Sequence, residues 1–88
     1  MFSVEWSEES LQELAALWVR IESDSRALVT AACHDADRRL HVDPLGEGES
    51  RFGSQRILFI APVALIYQLE PDEQTVTVLH AHFFQHRR

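Results

Sequence analysis

Two apolar runs with one proline between them constrain this chain most. Gln55-Arg56-Ile57-Leu58-Phe59-Ile60-Ala61 is apolar at every position after Arg56, and Val63-Ala64-Leu65-Ile66-Tyr67-Gln68-Leu69 at every position except Gln68. Short β-branched and aromatic runs bounded by turn residues read as strands. A third run, Thr75 to Phe84, follows Glu70-Pro71-Asp72-Glu73, where proline pre-sets φ and aspartate accepts local backbone bonds, so a turn is expected there. A strand with one wet face alternates apolar and polar residues; these runs do not, so both faces of the sheet are expected to be covered. Ile57 and Phe59 point one way, Leu58 and Ile60 the other. The helices available upstream cover one face. The other is expected to meet the C-terminal tail, a second copy of the chain or a partner.

The 88 residues bound the chain to one domain, 1–88. A domain of this size buries roughly 60–65% of its unfolded surface, so a partner would add useful stability. One cysteine, Cys33, excludes an internal disulfide framework and suits a reducing, cytoplasmic setting. No run approaches the ~20 apolar residues of a membrane span, and the acidic N-terminus is no signal peptide. Net charge is −6, the estimated pI is 5.2, and every positive side chain other than histidine is an arginine. A protein that grips nucleic acid neutralises phosphates and shows a basic face; this balance disfavours that role except through local arginine clusters.

Phe2-Ser3-Val4-Glu5-Trp6 alternates and reads as a short edge strand. Ser7 is the expected N-cap of a first helix over Glu8 to Ile21, with Glu8 and Glu9 in the first turn and an apolar stripe of Leu11, Leu14, Ala15, Trp18 and Ile21. Ser23-Asp24-Ser25 breaks it and caps a second helix running to about His41. There Val29, Ala32, Cys33, Ala36 and Leu40 form the stripe and Asp43-Pro44 the stop. The short break predicts an antiparallel helical hairpin. Leu45 to Ser50 is a loop, Gly53 a bulge or bend, and residues 85–88 a polar tail expected to fray. Strand, helix, helix and three strands define an α+β fold, β-α-α-β-β-β, with the hairpin on a mostly antiparallel four-stranded sheet.

Few residues point to chemistry. Arg51 and Arg56 at the mouth of the sheet would make an anion clamp with His82; the plainer reading pairs them with Glu47, Glu49 or Glu70. His80 and His82 share a strand face, a spacing that suits one metal ion or an acid–base pair, but no third ligand is evident, so neither a metal site nor a cofactor is assigned. His34 and His41 face solvent. Tyr67 is either a catalytic phenol or a core residue with a wet hydroxyl. The Phe83-Phe84 pair is either an interface anchor or a tail folded back on the sheet. Trp6 and Trp18 are expected in the core.

Several stretches resemble the RelE/ParE superfamily of bacterial toxins from type II toxin–antitoxin (plasmid stabilisation) modules. Val4-Glu5-Trp6-Ser7-Glu8-Glu9-Ser10-Leu11-Gln12-Glu13-Leu14 looks like the opening strand and helix of that family. Asp37-Arg38-Arg39-Leu40 with Asp43-Pro44 looks like the end of its second helix. Arg51 to Tyr67, closing on Leu65-Ile66-Tyr67, looks like its central hairpin. The resemblance implies a cognate antitoxin as partner. It also implies one of two targets, mRNA on the ribosome or DNA gyrase. Ribosome-directed members use cations on the sheet and near the C-terminus. Here Arg56 can stand at the first such position, but Leu58, Ile60 and Ala64 occupy others, and His82-Phe83 stands for a histidine–tyrosine pair. The expectation is therefore a gyrase-directed or degenerate toxin, with Leu58, Ile60, Ala64, Phe83 and Phe84 as partner-binding residues. A non-catalytic interaction module is the alternative. A residual ribonuclease would use Arg51, Arg56 and His82 as catalytic groups. A homodimer through the apolar face is a further option; a membrane is not.

Overall fold

The computed structural model describes residues 1–84; the tail expected to fray, 85–88, lies outside the described residues. Strand β1 (Ser3–Trp6) is followed by helices α1 (Glu8–Arg20) and α2 (Ser23–Val42), then by β2 (Glu49–Ser50), β3 (Gln55–Ile60), β4 (Val63–Glu70) and β5 (Thr75–Phe83). The sheet order is β1-β5-β4-β3-β2. β2 to β5 pair antiparallel, and β1 pairs parallel with β5, Ser3 opposite Thr75 and Trp6 opposite Val78. This is the expected α+β plan with a fifth strand. The two-residue β2 is too short to leave a periodic signal, and a parallel partner 72 residues away leaves no local one.

Ser7 caps α1: its Oγ accepts the Ser10 N–H at 3.0 Å and donates to the Leu79 carbonyl at 3.1 Å. One side chain thus ends β1, starts the helix and ties it to β5. The α2 cap falls one residue before the expected Ser23-Asp24-Ser25, at Glu22, whose side chain makes no cap bond. The helices run antiparallel. Arg26 Nε donates to the Trp18 carbonyl at 2.8 Å near the connection, while Leu11 shares a groove with Asp37 at the far end.

The sheet's two faces are set by the β4 register. Val63, Leu65, Tyr67 and Leu69 point toward the helices, with Leu58, Ile60, Val76, Val78 and Ala81 beside them; Leu17 from α1 and Val29, Ala32, Ala36 and Leu40 from α2 cover that layer. The α2 stripe is the expected one. The α1 stripe is rotated: Ser10 and Leu17 are buried, whereas Leu11 and Trp18 are 52% and 42% exposed. Trp18 is therefore not a core residue; its ring carries the Arg26 guanidinium 5.7 Å from the centroid. The cause is where α1 lies. β1 stops at Trp6, and α1 continues along the edge of β5 that β1 leaves bare, so it presents the face of Ser10, Leu14 and Leu17. Trp6 packs partly buried against the core, its indole N–H donating to Asp37 at 3.2 Å.

Candidate functional site

Arg56, the second residue of β3, is on the helix-facing side, opposite Tyr67. Its guanidinium donates to the carbonyls of Leu45, Glu47 and Gly48 at 3.0, 3.4 and 3.2 Å, and its Nε to the Tyr67 hydroxyl at 3.3 Å. That hydroxyl lies 2.8 Å from the Pro44 carbonyl and 2.6 Å from that of Glu47, which share its one proton. The loop after α2 is thus wound around Arg56 and Tyr67. Gly48 sits there at φ +70°, where a Cβ would come within 2.7 Å of the Ile57 carbonyl and of the Tyr67 hydroxyl. Tyr67 is fully buried, and burial pushes its phenol up, with Arg56 acting in the opposite sense. A phenol in that state is a structural hydrogen-bond donor, not an acid–base group. The expected pairing of Arg51 and Arg56 with Glu47, Glu49 or Glu70 is not what forms. Arg56 takes backbone carbonyls, Arg51 bonds Gln55 and lies over the Phe52 ring, and Glu47 pairs with Arg39 at 3.7 Å.

The Arg51–Arg56–His82 clamp is not assembled. His82 is opposite Ala64 on the face turned away from the helices, and Arg56 is on the helix side. Arg51 stands beside Gln55, whose β4 partner Gln68 is four residues from Ala64, ~13 Å along the strand by its rise. One phosphate cannot be shared by groups so placed. Leu58 and Ile60, expected to bind a partner, face the helices instead: Leu58 is 5% exposed and Ile60 packs partly buried against the same core. Arginine at Leu58 would forfeit about 2 kcal/mol of burial and enclose a charge. Leu58 is a core position in this chain, whatever its counterparts carry. Phe83 also joins the helix-side core.

The opposite face carries Ile57, Phe59, Ala64, Ile66, His80 and His82. Phe84 folds back onto it. Its N–H donates to the Pro62 carbonyl at 2.8 Å, and its ring meets Phe59 edge-on at 5.9 Å between centroids. Of the two readings of the Phe83-Phe84 pair, Phe84 follows the folded-back tail, while Phe83 follows neither and packs partly buried against the core. Phe59 stays 56% exposed beside it. Its strands carry no arginine on this face; besides Glu5, Glu49 and Glu70 it holds the two histidines, their rings 6.1 Å apart and within 16° of parallel.

Sequence reasoning did not anticipate Glu13. From α1 its carboxylate accepts the Ala81 N–H at 2.9 Å and lies 3.2 Å from His80 Nδ1. Burial raises this carboxyl, but the bond from Ala81 and the adjacent His80 and His82 outweigh it and hold it below the usual value. No signal in the chain links residues 13 and 80; the link exists only because α1 lies along the β5 edge.

A third feature is a groove of about 550 Å³ between β1, α1 and α2, lined by Trp6, Leu11, Leu14, Cys33, His34, Asp37 and Arg38. Its walls are mostly apolar, and burial pushes the Cys33 thiol up, which makes it a poor nucleophile. No three His, Cys, Asp or Glu side chains converge to hold a metal ion among the described residues. No described helix is long and apolar enough to cross a membrane.

Two helices on one face of a mixed sheet, β1 parallel to β5 and the rest an antiparallel meander, define an α+β class of small proteins. Solved structures narrow it to one fold, that of the RelE/ParE toxins. A chain of the chromosomal ParDE toxin–antitoxin system from P. aeruginosa superposes with a TM-score of 0.71 at 17% identity, over 97% of this chain and 98% of that one. The RelBE2 toxin–antitoxin complex of Mycobacterium tuberculosis gives 0.75 at 15% identity, over 93% and 90%. The isolated E. coli RelE toxin gives 0.65 at 14%, over 100% and 89%. No family sequence model and no curated protein matches the chain.

Proposed function

We propose that this chain is the toxin-like component of a type II toxin–antitoxin module, bound by a cognate antitoxin, and that it is ParE-like or degenerate and not an efficient mRNA-cleaving toxin. The fold shared with chains of ParDE and RelBE systems supports the module. The character of the outward sheet face carries the second half. Phosphoryl transfer to a 2′-hydroxyl needs cations where charge develops, and this face offers two histidines and an apolar floor. Arg56, the cation nearest in sequence, is spent on the carbonyls of its own loop.

The antitoxin has two apolar surfaces to cover. One is the Phe59–Phe84 face, where Phe59 and Phe84 are the side chains offered to a partner and Ala64, 7% exposed, lies beneath. The other is the groove beside the exposed Leu11 and Trp18. An amphipathic helix suits the groove and an extended segment suits the sheet. The second reading, an interaction module with the toxin fold and no toxicity, is favoured by the same lack of cations. Induced expression of the chain alone in a bacterial host separates the two, scored by colony count and by labelled amino-acid and nucleotide incorporation. A fall in nucleotide incorporation into DNA supports the gyrase-directed toxin. A fall in translation overturns the case against mRNA cleavage. Unimpaired growth with soluble protein supports the interaction module.

A further inference from the structure

We infer that His80 and His82 form a two-imidazole chelate for a divalent transition ion on the outward sheet face, with Glu13 as the residue that orients His80. Residues two apart on a strand point the same way, and these two do: their rings are stacked on the face of Ala64 and Ile66. What distinguishes the pair from two ordinary surface histidines is Glu13. An ionised carboxylate only accepts hydrogen bonds, so the Nδ1 of His80, 3.2 Å from Glu13 Oε2, carries the proton. Nε2 is then the lone-pair nitrogen. This is the carboxylate–histidine arrangement by which proteins fix a ligand's tautomer and raise its basicity. Glu13 is itself fixed through its other oxygen, by the Ala81 N–H at 2.9 Å. His82 is exposed and has no hydrogen-bond partner among the described residues, so its ring can rotate to meet the ion.

The spacing is compatible. Two imidazoles on one ion, each nitrogen ~2.1 Å from the metal, have centroids ~4.5–5.5 Å apart for bond angles near 90–110°. The observed 6.1 Å therefore closes by about an ångström, a χ rotation of His82. Two imidazoles leave the other positions to water, which favours nickel, copper or zinc over calcium or magnesium. Such an ion would place positive charge on a face whose strands carry no arginine.

The test uses the full chain and nickel chloride at pH ~7.5, followed by calorimetry and by paramagnetic broadening of the histidine ring signals. One saturable site is expected, with His80 and His82 broadened first. His82→Asn, an exposed change, is expected to weaken binding at least tenfold. Glu13→Gln keeps an acceptor for Ala81 and is expected to weaken it about 10–100-fold, the usual cost of losing such a carboxylate. His34→Asn and His41→Asn are expected to leave the affinity unchanged. Wild-type affinity in His82→Asn, or first broadening at His34 or His41, overturns the proposal. Glu13→Gln binding as tightly as wild type overturns the role of Glu13, and His82→Asn alone decides the site should that variant fail to fold. Growth arrest plays no part in this test, so its outcome is independent of the toxin reading.

Discussion

Arg56 shows how one residue's role depends on the backbone around it. The sequence offers it as a cation at the mouth of a sheet, and the residue type fits. What the sequence cannot supply is the path of residues 44–48, whose carbonyls converge on it. Arg56→Ala is expected to lower stability by about 1–3 kcal/mol, read as a shift in urea midpoint, because carbonyls matched to a guanidinium lose their donors. Arg56→Lys is expected to recover little, since an ammonium has no fork to span three carbonyls and a hydroxyl. Tyr67→Phe is expected to cost about 1–2 kcal/mol on the same assay. Gly48→Ala combines a positive φ with a 2.7 Å approach to the Ile57 carbonyl and is expected to cost about 1–3 kcal/mol. Glu13 makes a pH-dependent prediction. Its folded pKa lies below the ordinary 4.5, so its contribution is present above that value and is lost as pH falls through the folded pKa. Thermal melts between pH 3 and 6 are expected to show a steeper acid loss in the wild type than in Glu13→Gln; parallel curves would contradict the assignment. Neither Glu13 nor the inward turn of Leu58 was legible at this scale. The former is a contact across 67 residues. The latter needs the strand's facing, which a run apolar on both sides conceals.

At the scale of elements the sequence was more informative, because caps and stripes are local. Ser7, the end of α2 at Asp43-Pro44 and the α2 stripe all lie where the pattern puts them. The α1 stripe does not. An apolar run with several residues at helical spacing admits two neighbouring faces, and the choice between Trp18 and Leu17 fell to the bare β5 edge. The cap at Ser7 has two bonds to lose, so Ser7→Ala is expected to cost about 1–2 kcal/mol. The α2 start offers the opposite experiment. Glu22 makes no side-chain cap bond, and Glu22→Ser supplies a short oxygen for the helix N–H groups. A gain of about 0.5–1 kcal/mol in chemical denaturation is expected; a loss would mean that Glu22 holds a contact worth more than a cap.

For the whole molecule, the inference that survives best from sequence is the two-sided apolar sheet. One side is the core; the other is partly closed by Phe84 and leaves Phe59 exposed. The strand order was less legible, since β1 pairs with a strand 72 residues away and no local pattern links the two. That pairing also sets how the molecule responds to a pull. β1 and β5 run in the same direction, so tension applied at residue 3 and residue 83 in opposite senses loads the rungs from Ser3–Thr75 to Trp6–Val78 together, in shear. An antiparallel terminal pair would open one rung at a time. A translocating protease that drags the chain from one end, with the other end held, has to break this four-residue ladder in shear before the terminal strands part.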